Sequence, residues 1–100
     1  QKVEAARSHV RRVALADAVK PGGVPFQYAA TAKVLATQTA FEVASDALQM
    51  FGGNGMTRAY PMEKLLRDAR ASMIEDGCNA ILSILGGTAL VDPDLLQTRA

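Results

Sequence analysis

The sequence has 100 residues, enough for one domain at most, and 49% of them are hydrophobic while only 5% are aromatic. Prominent alanine and scarce aromatic residues favour closely packed helices over a sheet. With 11 Lys and Arg against 10 Asp and Glu, the formal net charge is +1, which argues against a strongly basic surface for nucleic acid.

The sequence contains a single cysteine and no long apolar run. Cys78 has no second cysteine to pair with, so an internal disulfide is excluded and a reducing compartment is expected. No apolar run reaches about 18 residues, so no membrane span is predicted. The first residues already follow a helical pattern without a cap or an initiator methionine. We therefore interpret residue 1 as a cut or processed end.

Two helices are predicted in the first half of the chain. Apolar residues at spacings of three and four predict a helix over residues 2–20, which ends at the sequence PGGVP. Its His9 is the only histidine, and we expect no metal site around it. Residues 26–51 contain no glycine or proline, which predicts one helix about 39 Å long. This helix has few charges, so it suits the centre of a bundle or a face covered by another segment.

The second half of the chain is punctuated by glycine. The sequence GGNG ends the long helix, and Pro61 suits the start of a helix over residues 62–75. Asp76 and Gly77 interrupt this pattern. A short apolar helix then follows and ends at Gly86-Gly87, leaving a loosely held tail over residues 88–100. The predicted fold is an all-α antiparallel bundle of three main helices plus a short fourth.

Two features of this bundle could carry chemistry, although each has an ordinary structural explanation. The glycines of GGNG could let backbone approach a ligand, but glycine clusters more often cap helices. No strand precedes them, so they are not a dinucleotide-binding fingerprint. Asp76 before Gly77 could be a catalytic carboxylate, but an acid at such a break is usually a helix cap or a turn residue.

In order along the chain, the segments DALQMFGGNG, YPMEKLLRDAR and MIEDG resemble the C-terminal helical domain of the acyl-CoA dehydrogenases. That family has a Gln-x-x-Gly-Gly turn, then Tyr-Pro-x-Glu, then Arg-Asp-Ala, then Glu-Gly-Thr. The resemblance covers residues 26–82 by motif and residues 1–25 by helix layout. It implies that residues 1–100 are most of this domain without its first helix, and that the N-terminal helical and middle β-domains are absent from the chain.

The resemblance also implies partners and cofactor. Family members are FAD-dependent homo-oligomers, often tetramers, that oxidise acyl-CoA and pass electrons to an electron-transfer flavoprotein. They work in the bacterial cytoplasm or the mitochondrial matrix. The glycine turn of one subunit meets the FAD of a neighbour. By this likeness the FAD-contacting residues are Gln49, Met50, Phe51, Gly52, Gly53, Cys78 and Ala80.

The resemblance assigns the catalytic base to Asp76. In the family, a glutamate at this position removes a proton α to the thioester carbonyl while the β-hydride passes to the flavin. Gly77 is then the substrate-contacting glycine. No metal is implied. This sequence differs from the family pattern in having Asp76 for glutamate, Cys78 for threonine, Ala80 for a polar residue and Met56 for an aromatic residue.

These differences leave two alternatives open. Nitroalkane oxidases, which resemble acyl-CoA dehydrogenases, use an aspartate near this place, so a nitro or amine substrate is one alternative. The other is a catalytically silent bundle that serves oligomerisation. Bound flavin that is bleached by an acyl-CoA, by a nitroalkane, or not found at all would distinguish these hypotheses.

Overall fold

The computed structural model describes residues 1–92 and 94, and within them the chain forms four α-helices and no strand. The helices are α1 (Lys2–Val19), α2 (Phe26–Phe51), α3 (Met62–Ser72) and α4 (Asn79–Val91), with a 3₁₀ helix at Gly52–Met56. The predicted all-α bundle is confirmed. The bounds of α2 are those predicted, since the segment has no residue that breaks a helix.

The long helix α2 is the centre of the bundle, and α1, α3 and α4 each pack against it. Its low charge therefore reflects contact on several sides, as predicted. Cross-helix polar contacts support the packing: Lys2 donates a hydrogen bond to Glu42 over 2.6 Å, and the Arg70 guanidinium lies 5.7 Å from the Phe41 ring centre. The bond to Glu42 raises the pKa of Lys2 above its ordinary value.

The connection between α1 and α2 forms where the sequence predicted it. Gly22 and Gly23 have φ angles of 82° and 78°, the left-handed region that glycine adopts without a Cβ penalty. The amide of Val24 donates to Asp17 Oδ1 over 2.9 Å, which closes the loop onto the end of α1. Six residues thus reverse the chain, and α1 and α2 are antiparallel neighbours.

Helix α3 is shorter than predicted. It ends at Ser72 rather than at residue 75, because residues 73–76 form a turn that leads into the left-handed Asp76. On its exposed side two i, i+4 ion pairs form. Arg67 Nε lies 3.2 Å from Glu63 Oε2, and Lys64 Nζ lies 2.7 Å from Asp68 Oδ2.

The predicted end of α4 at Gly86-Gly87 is wrong, because the helix continues through both glycines to Val91. With 13 residues it is longer than α3, which has 11. Gly86 is buried against α2, where a Cβ would lie 3.7 Å from the Cβ of Ala30. The glycine thus permits close helix packing instead of ending the helix. Of the predicted tail, residues 88–91 are helical, and residues 93 and 95–100 lie outside the described part.

The core of the described chain is small, and four of its five buried hydrophobic residues are alanine. The buried hydrophobic residues are Ala6, Ala30, Ala32, Met62 and Ala89. Many larger apolar side chains are exposed, including Leu90 at 70% and Val91 at 85%. An open apolar groove of about 690 Å³ runs between α1, α2 and α3. Exposed apolar area on this scale is typical of surfaces that pack against another domain or chain.

Gly55 is required by packing, so Gly55→Ala is expected to destabilise the bundle. Its Cβ would lie 2.8 Å from Leu48 Cδ1 and 2.9 Å from Phe51 Cβ, distances that force the neighbours to move. Such overpacking costs about 1–3 kcal/mol. The thermal unfolding midpoint of the full-length protein should therefore fall. Gly87→Ala is the control, since its Cβ would meet no atom within 4 Å. A Gly55→Ala midpoint at or above that of the wild type would contradict this prediction.

Candidate functional site

The glycine turn at the end of α2 owes its shape to Gly52. This residue has φ 64° and ψ −145°, a region that is essentially restricted to glycine. Its amide donates to the carbonyls of Leu48 and Gln49, which closes the helix end. The Gly52 amide is therefore already bonded within the chain. A backbone N–H that this turn offers to a ligand must come from a residue next to Gly52.

Gly53 has no such internal reason to be glycine. A Cβ at Gly53 would meet no atom within 4 Å, and its φ lies outside the left-handed region. Gln49, Met50 and Phe51 beside it are exposed, and Met50 reaches 88% exposure. The Phe51 ring packs against Tyr60 with centroids 5.4 Å apart. The backbone at Gly53 is thus open to approach, next to the packed rings of Phe51 and Tyr60.

The acidic turn between α3 and α4 has two consecutive left-handed residues. Asp76 has φ 53° and Gly77 has φ 91°. Aspartate tolerates this conformation better than most residues with a side chain, because its short polar side chain can bond locally. The turn exposes Asp76, while a Cβ on Gly77 would press against Leu82 Cδ2 at 3.2 Å. Both the fold and the backbone conformation therefore favour glycine at position 77.

The two remaining predicted residues start α4. Cys78 is the N-cap residue, is half-buried, and has a free thiol that makes no capping hydrogen bond. Ala80 is exposed in the first turn of the helix. Asp76, Gly77, Cys78 and Ala80 therefore lie together around one helix start, as their sequence proximity requires.

Sequence reasoning missed a polar cluster that ties this turn to α2. Lys33 Nζ donates to the carbonyl of Gly77 over 3.0 Å and to Asn79 Oδ1 over 2.8 Å. Asn79 Nδ2 in turn donates to Thr37 Oγ1 over 2.9 Å. The sequence signal was slight: Lys33 is one of only three charged residues in α2, four positions before a threonine.

The glycine turn and the acidic turn lie at opposite ends of α2. The acidic turn is bonded to Lys33, and the glycine turn begins at Gly52, which is about 28 Å further along the helix at 1.5 Å per residue. A flavin ring is much smaller than this separation. One copy of the chain therefore does not bring the two groups of predicted residues together around one ring.

No group of three or more His, Cys, Asp or Glu residues that could hold a metal ion occurs in residues 1–92 and 94. Across the same part of the chain, no helix combines the length and apolar character needed to cross a membrane.

The family of the chain follows from a match over most of its length. The model of the family described as "Acyl-CoA dehydrogenase, C-terminal domain" matches residues 1–90. The chain belongs to the acyl-CoA dehydrogenase family. Acyl-CoA dehydrogenases are flavoproteins that normally use FAD, and their C-terminal domain is all-α, in agreement with the fold described above.

Several curated proteins are similar to most of the chain. The 3-sulfinopropanoyl-CoA desulfinase of Advenella mimigardefordensis is 40% identical over 98% of this chain and 24% of the relative. The mitochondrial isobutyryl-CoA dehydrogenase of Dictyostelium discoideum is 38% identical over 84% of this chain and 20% of the relative. The short-chain specific acyl-CoA dehydrogenase of Megasphaera elsdenii is 37% identical over 90% of this chain and 23% of the relative. The chain thus spans about a quarter or less of the length of these relatives.

A solved structure is also similar to this chain. It comes from work on the electron transferring flavoprotein of Acidaminococcus fermentans and the mechanism of flavin-based electron bifurcation. One of its chains superposes with a TM-score of 0.82 and is 38% identical, over 91% of this chain and 23% of that chain. At this identity, the likeness extends to sequence as well as to fold.

Proposed function

We propose that residues 1–100 form the C-terminal domain of a larger FAD-dependent acyl-CoA dehydrogenase that carries out α,β-dehydrogenation. The observation that carries the proposal is the Asp76–Gly77 turn, which exposes a carboxylate at the start of α4. It stands in a chain that the family model matches over residues 1–90. Three similar proteins are all named for acyl-CoA substrates, which supports a thioester as the substrate class.

Asp76 would act as the base. A thioester carbonyl makes the neighbouring α-proton acidic, and a carboxylate oxygen within hydrogen-bond reach can accept that proton. Gly77 is exposed, so a substrate could approach its backbone there. When bound, FAD would supply the acceptor for the hydride from the β-carbon. The aspartate side chain is one methylene shorter than glutamate, so the backbone must bring it closer to the substrate.

The glycine turn suits a role in holding FAD. Gly53 has free space where a side chain would stand, and nothing in the described chain requires glycine there. A ligand that approaches the backbone closely would require it. The turn lies about 28 Å from the acidic turn along α2, so we propose that it serves the FAD of a neighbouring subunit. Cys78 and Ala80 would line the flavin beside the acidic turn.

Assembly and electron transfer follow from the same proposal. Exposed apolar side chains on α4, among them Ile81 at 54% and Ile84 at 65%, support contact with other domains or a second copy in a homo-oligomer. The structural relative from work on an electron transferring flavoprotein supports such a protein as electron acceptor. The free thiol of Cys78 suits a reducing cytoplasm or mitochondrial matrix.

A second candidate reaction uses the same site. The desulfinase relative, which is 40% identical, is named for a reaction other than dehydrogenation, on an acyl-CoA that carries a sulfinate group. Asp76 replaces the glutamate of the family pattern, so the same thioester class could undergo a different reaction at this site. The nitroalkane and silent-bundle alternatives remain as further outcomes of one test.

That test is a substrate panel on the purified full-length protein. Its visible spectrum should show a bound flavin. Under anaerobic conditions, short-chain acyl-CoA should bleach this flavin, which supports dehydrogenation. Loss of sulfinate from 3-sulfinopropanoyl-CoA without bleaching by saturated acyl-CoA would favour the desulfinase reaction. Bleaching by a nitroalkane alone would favour the oxidase, and a colourless protein would favour the silent bundle.

A further inference from the structure

Lys33 on α2 makes two hydrogen bonds to the acidic turn and the start of α4. Its Nζ lies 3.0 Å from the carbonyl oxygen of Gly77 and 2.8 Å from Asn79 Oδ1. These acceptors are 44 and 46 residues away in the sequence, so the bonds link the central helix to the other end of the chain. The peptide group that Lys33 holds directly follows the one that joins Asp76 to Gly77.

Asn79 and Thr37 complete a closed set of hydrogen bonds around Lys33. Asn79 is buried at 8% exposure, and its Nδ2 donates to Thr37 Oγ1 over 2.9 Å. The Thr37 hydroxyl donates to the carbonyl of Lys33 over 2.8 Å. The amide of Asn79 also donates to the carbonyl of Met73, which closes the turn from its other side. Both polar atoms of the Asn79 side chain are therefore bonded.

Both hydrogen bonds that Lys33 donates go to neutral acceptors, a backbone carbonyl and a side-chain amide. In the described part of the chain, the ion pairs that form do not include Lys33. A hydrogen bond from an ammonium group to a carbonyl is stronger than one between neutral groups. Removing Lys33 or Thr37 would leave a polar atom of the buried Asn79 side chain unpaired, which a polar cluster tolerates poorly. The cluster therefore resists movement of the Gly77 carbonyl.

We propose that Lys33, together with Asn79 and Thr37, is a positioning cluster that fixes the Asp76 carboxylate for proton abstraction. The inference rests on the proposed role of Asp76 as the base. Two left-handed residues in succession, at φ 53° and 91°, persist when their surroundings enforce them. A shift of about 1 Å in a reacting group can lower a rate about a hundredfold. Lys33 thus acts through the turn and not on the substrate.

The first test compares rates in the full-length flavoprotein under single-turnover conditions. Lys33→Met should lower the rate of flavin reduction at saturating acyl-CoA about a hundredfold, with little change in the Kd for acyl-CoA. Thr37→Val should also lower the rate, while Thr37→Ser, which keeps the hydroxyl, should recover most of it. Lys64→Met removes the same charge from an exposed ion pair on α3 and should leave the rate unchanged.

The second test does not require activity. Amide hydrogen exchange in residues 74–80 should be faster in Lys33→Met and Thr37→Val than in the wild type or Lys64→Met. Unchanged exchange and an unchanged rate in both variants would overturn the inference, and so would a Thr37→Ser variant as slow as Thr37→Val. If exchange accelerates in both variants but the wild type reduces no flavin with any acyl-CoA, the cluster does hold the turn and the proposed base function of Asp76 fails.

Discussion

Asp76→Asn in the full-length protein is expected to lower the rate of flavin reduction by an acyl-CoA about a thousandfold. General base catalysis contributes about 10²- to 10⁴-fold, and an amide cannot accept the α-proton at neutral pH. Asparagine has nearly the same shape and tolerates the left-handed φ of 53°, so the turn should keep its conformation. The measurement is anaerobic rapid mixing, with flavin absorbance as the readout.

Glu75→Gln is the matched control for this experiment. Glu75 is the adjacent carboxylate, it is exposed, and it precedes the left-handed pair. Its loss should change the rate by less than about threefold, the scale of an exposed charge worth well under 1 kcal/mol. An Asp76→Asn variant as fast as Glu75→Gln would remove Asp76 from the mechanism.

Gly53→Val is expected to release FAD from an otherwise folded protein. The side chain has free space in the chain itself, so the unfolding midpoint of the apoprotein should stay close to that of the wild-type apoprotein. If backbone groups of the turn bond to the cofactor, blocking one charge-assisted hydrogen bond costs about 1.5–3 kcal/mol. This energy corresponds to a roughly ten- to hundredfold weaker Kd for FAD. Flavin content and FAD titration of the apoprotein measure it.

Gly52→Ala is the comparison variant that distinguishes an effect on stability from an effect on FAD binding in the same turn. Its φ of 64° and ψ of −145° are accessible essentially only to glycine, so this variant should lose about 1–3 kcal/mol of stability. With the apoproteins compared, the unfolding midpoint should fall for Gly52→Ala and stay unchanged for Gly53→Val, while flavin affinity falls for Gly53→Val. A Gly53→Val protein that binds FAD like the wild type would show that the turn does not contact the cofactor.

Much of the fold was predictable because glycine and proline lie at most of the positions where one helix ends and the next begins. The bounds of α2 followed from the absence of glycine and proline between Phe26 and Phe51. The end of α4 was wrong for a physical reason. Gly86 looks like a helix stop in sequence, but burial against Ala30 makes it a packing residue. Whether a glycine ends a helix or lets it pack closely depends on a partner 56 positions away in the chain.

The candidate residues could be singled out from the sequence, but the hydrogen bonds that hold their turn could not. Asp76 and Gly53 could be singled out because each lies in a motif of neighbouring residues. The cluster of Lys33, Thr37 and Asn79 joins positions more than 40 residues apart, and each residue alone is unremarkable on a helix. The separation of the two turns along α2 also required the arrangement of the helices.

If this chain provides the base that removes an α-proton from an acyl-CoA, cleavage of the α-carbon–hydrogen bond should limit flavin reduction. The direct measurement is flavin reduction in the full-length protein by a short-chain acyl-CoA deuterated at the α-carbon, compared with the undeuterated compound. We predict markedly slower reduction with the deuterated substrate, because the transferred proton comes from that carbon. Equal rates with both substrates at saturation, or a flavin that neither compound bleaches, would contradict the claim.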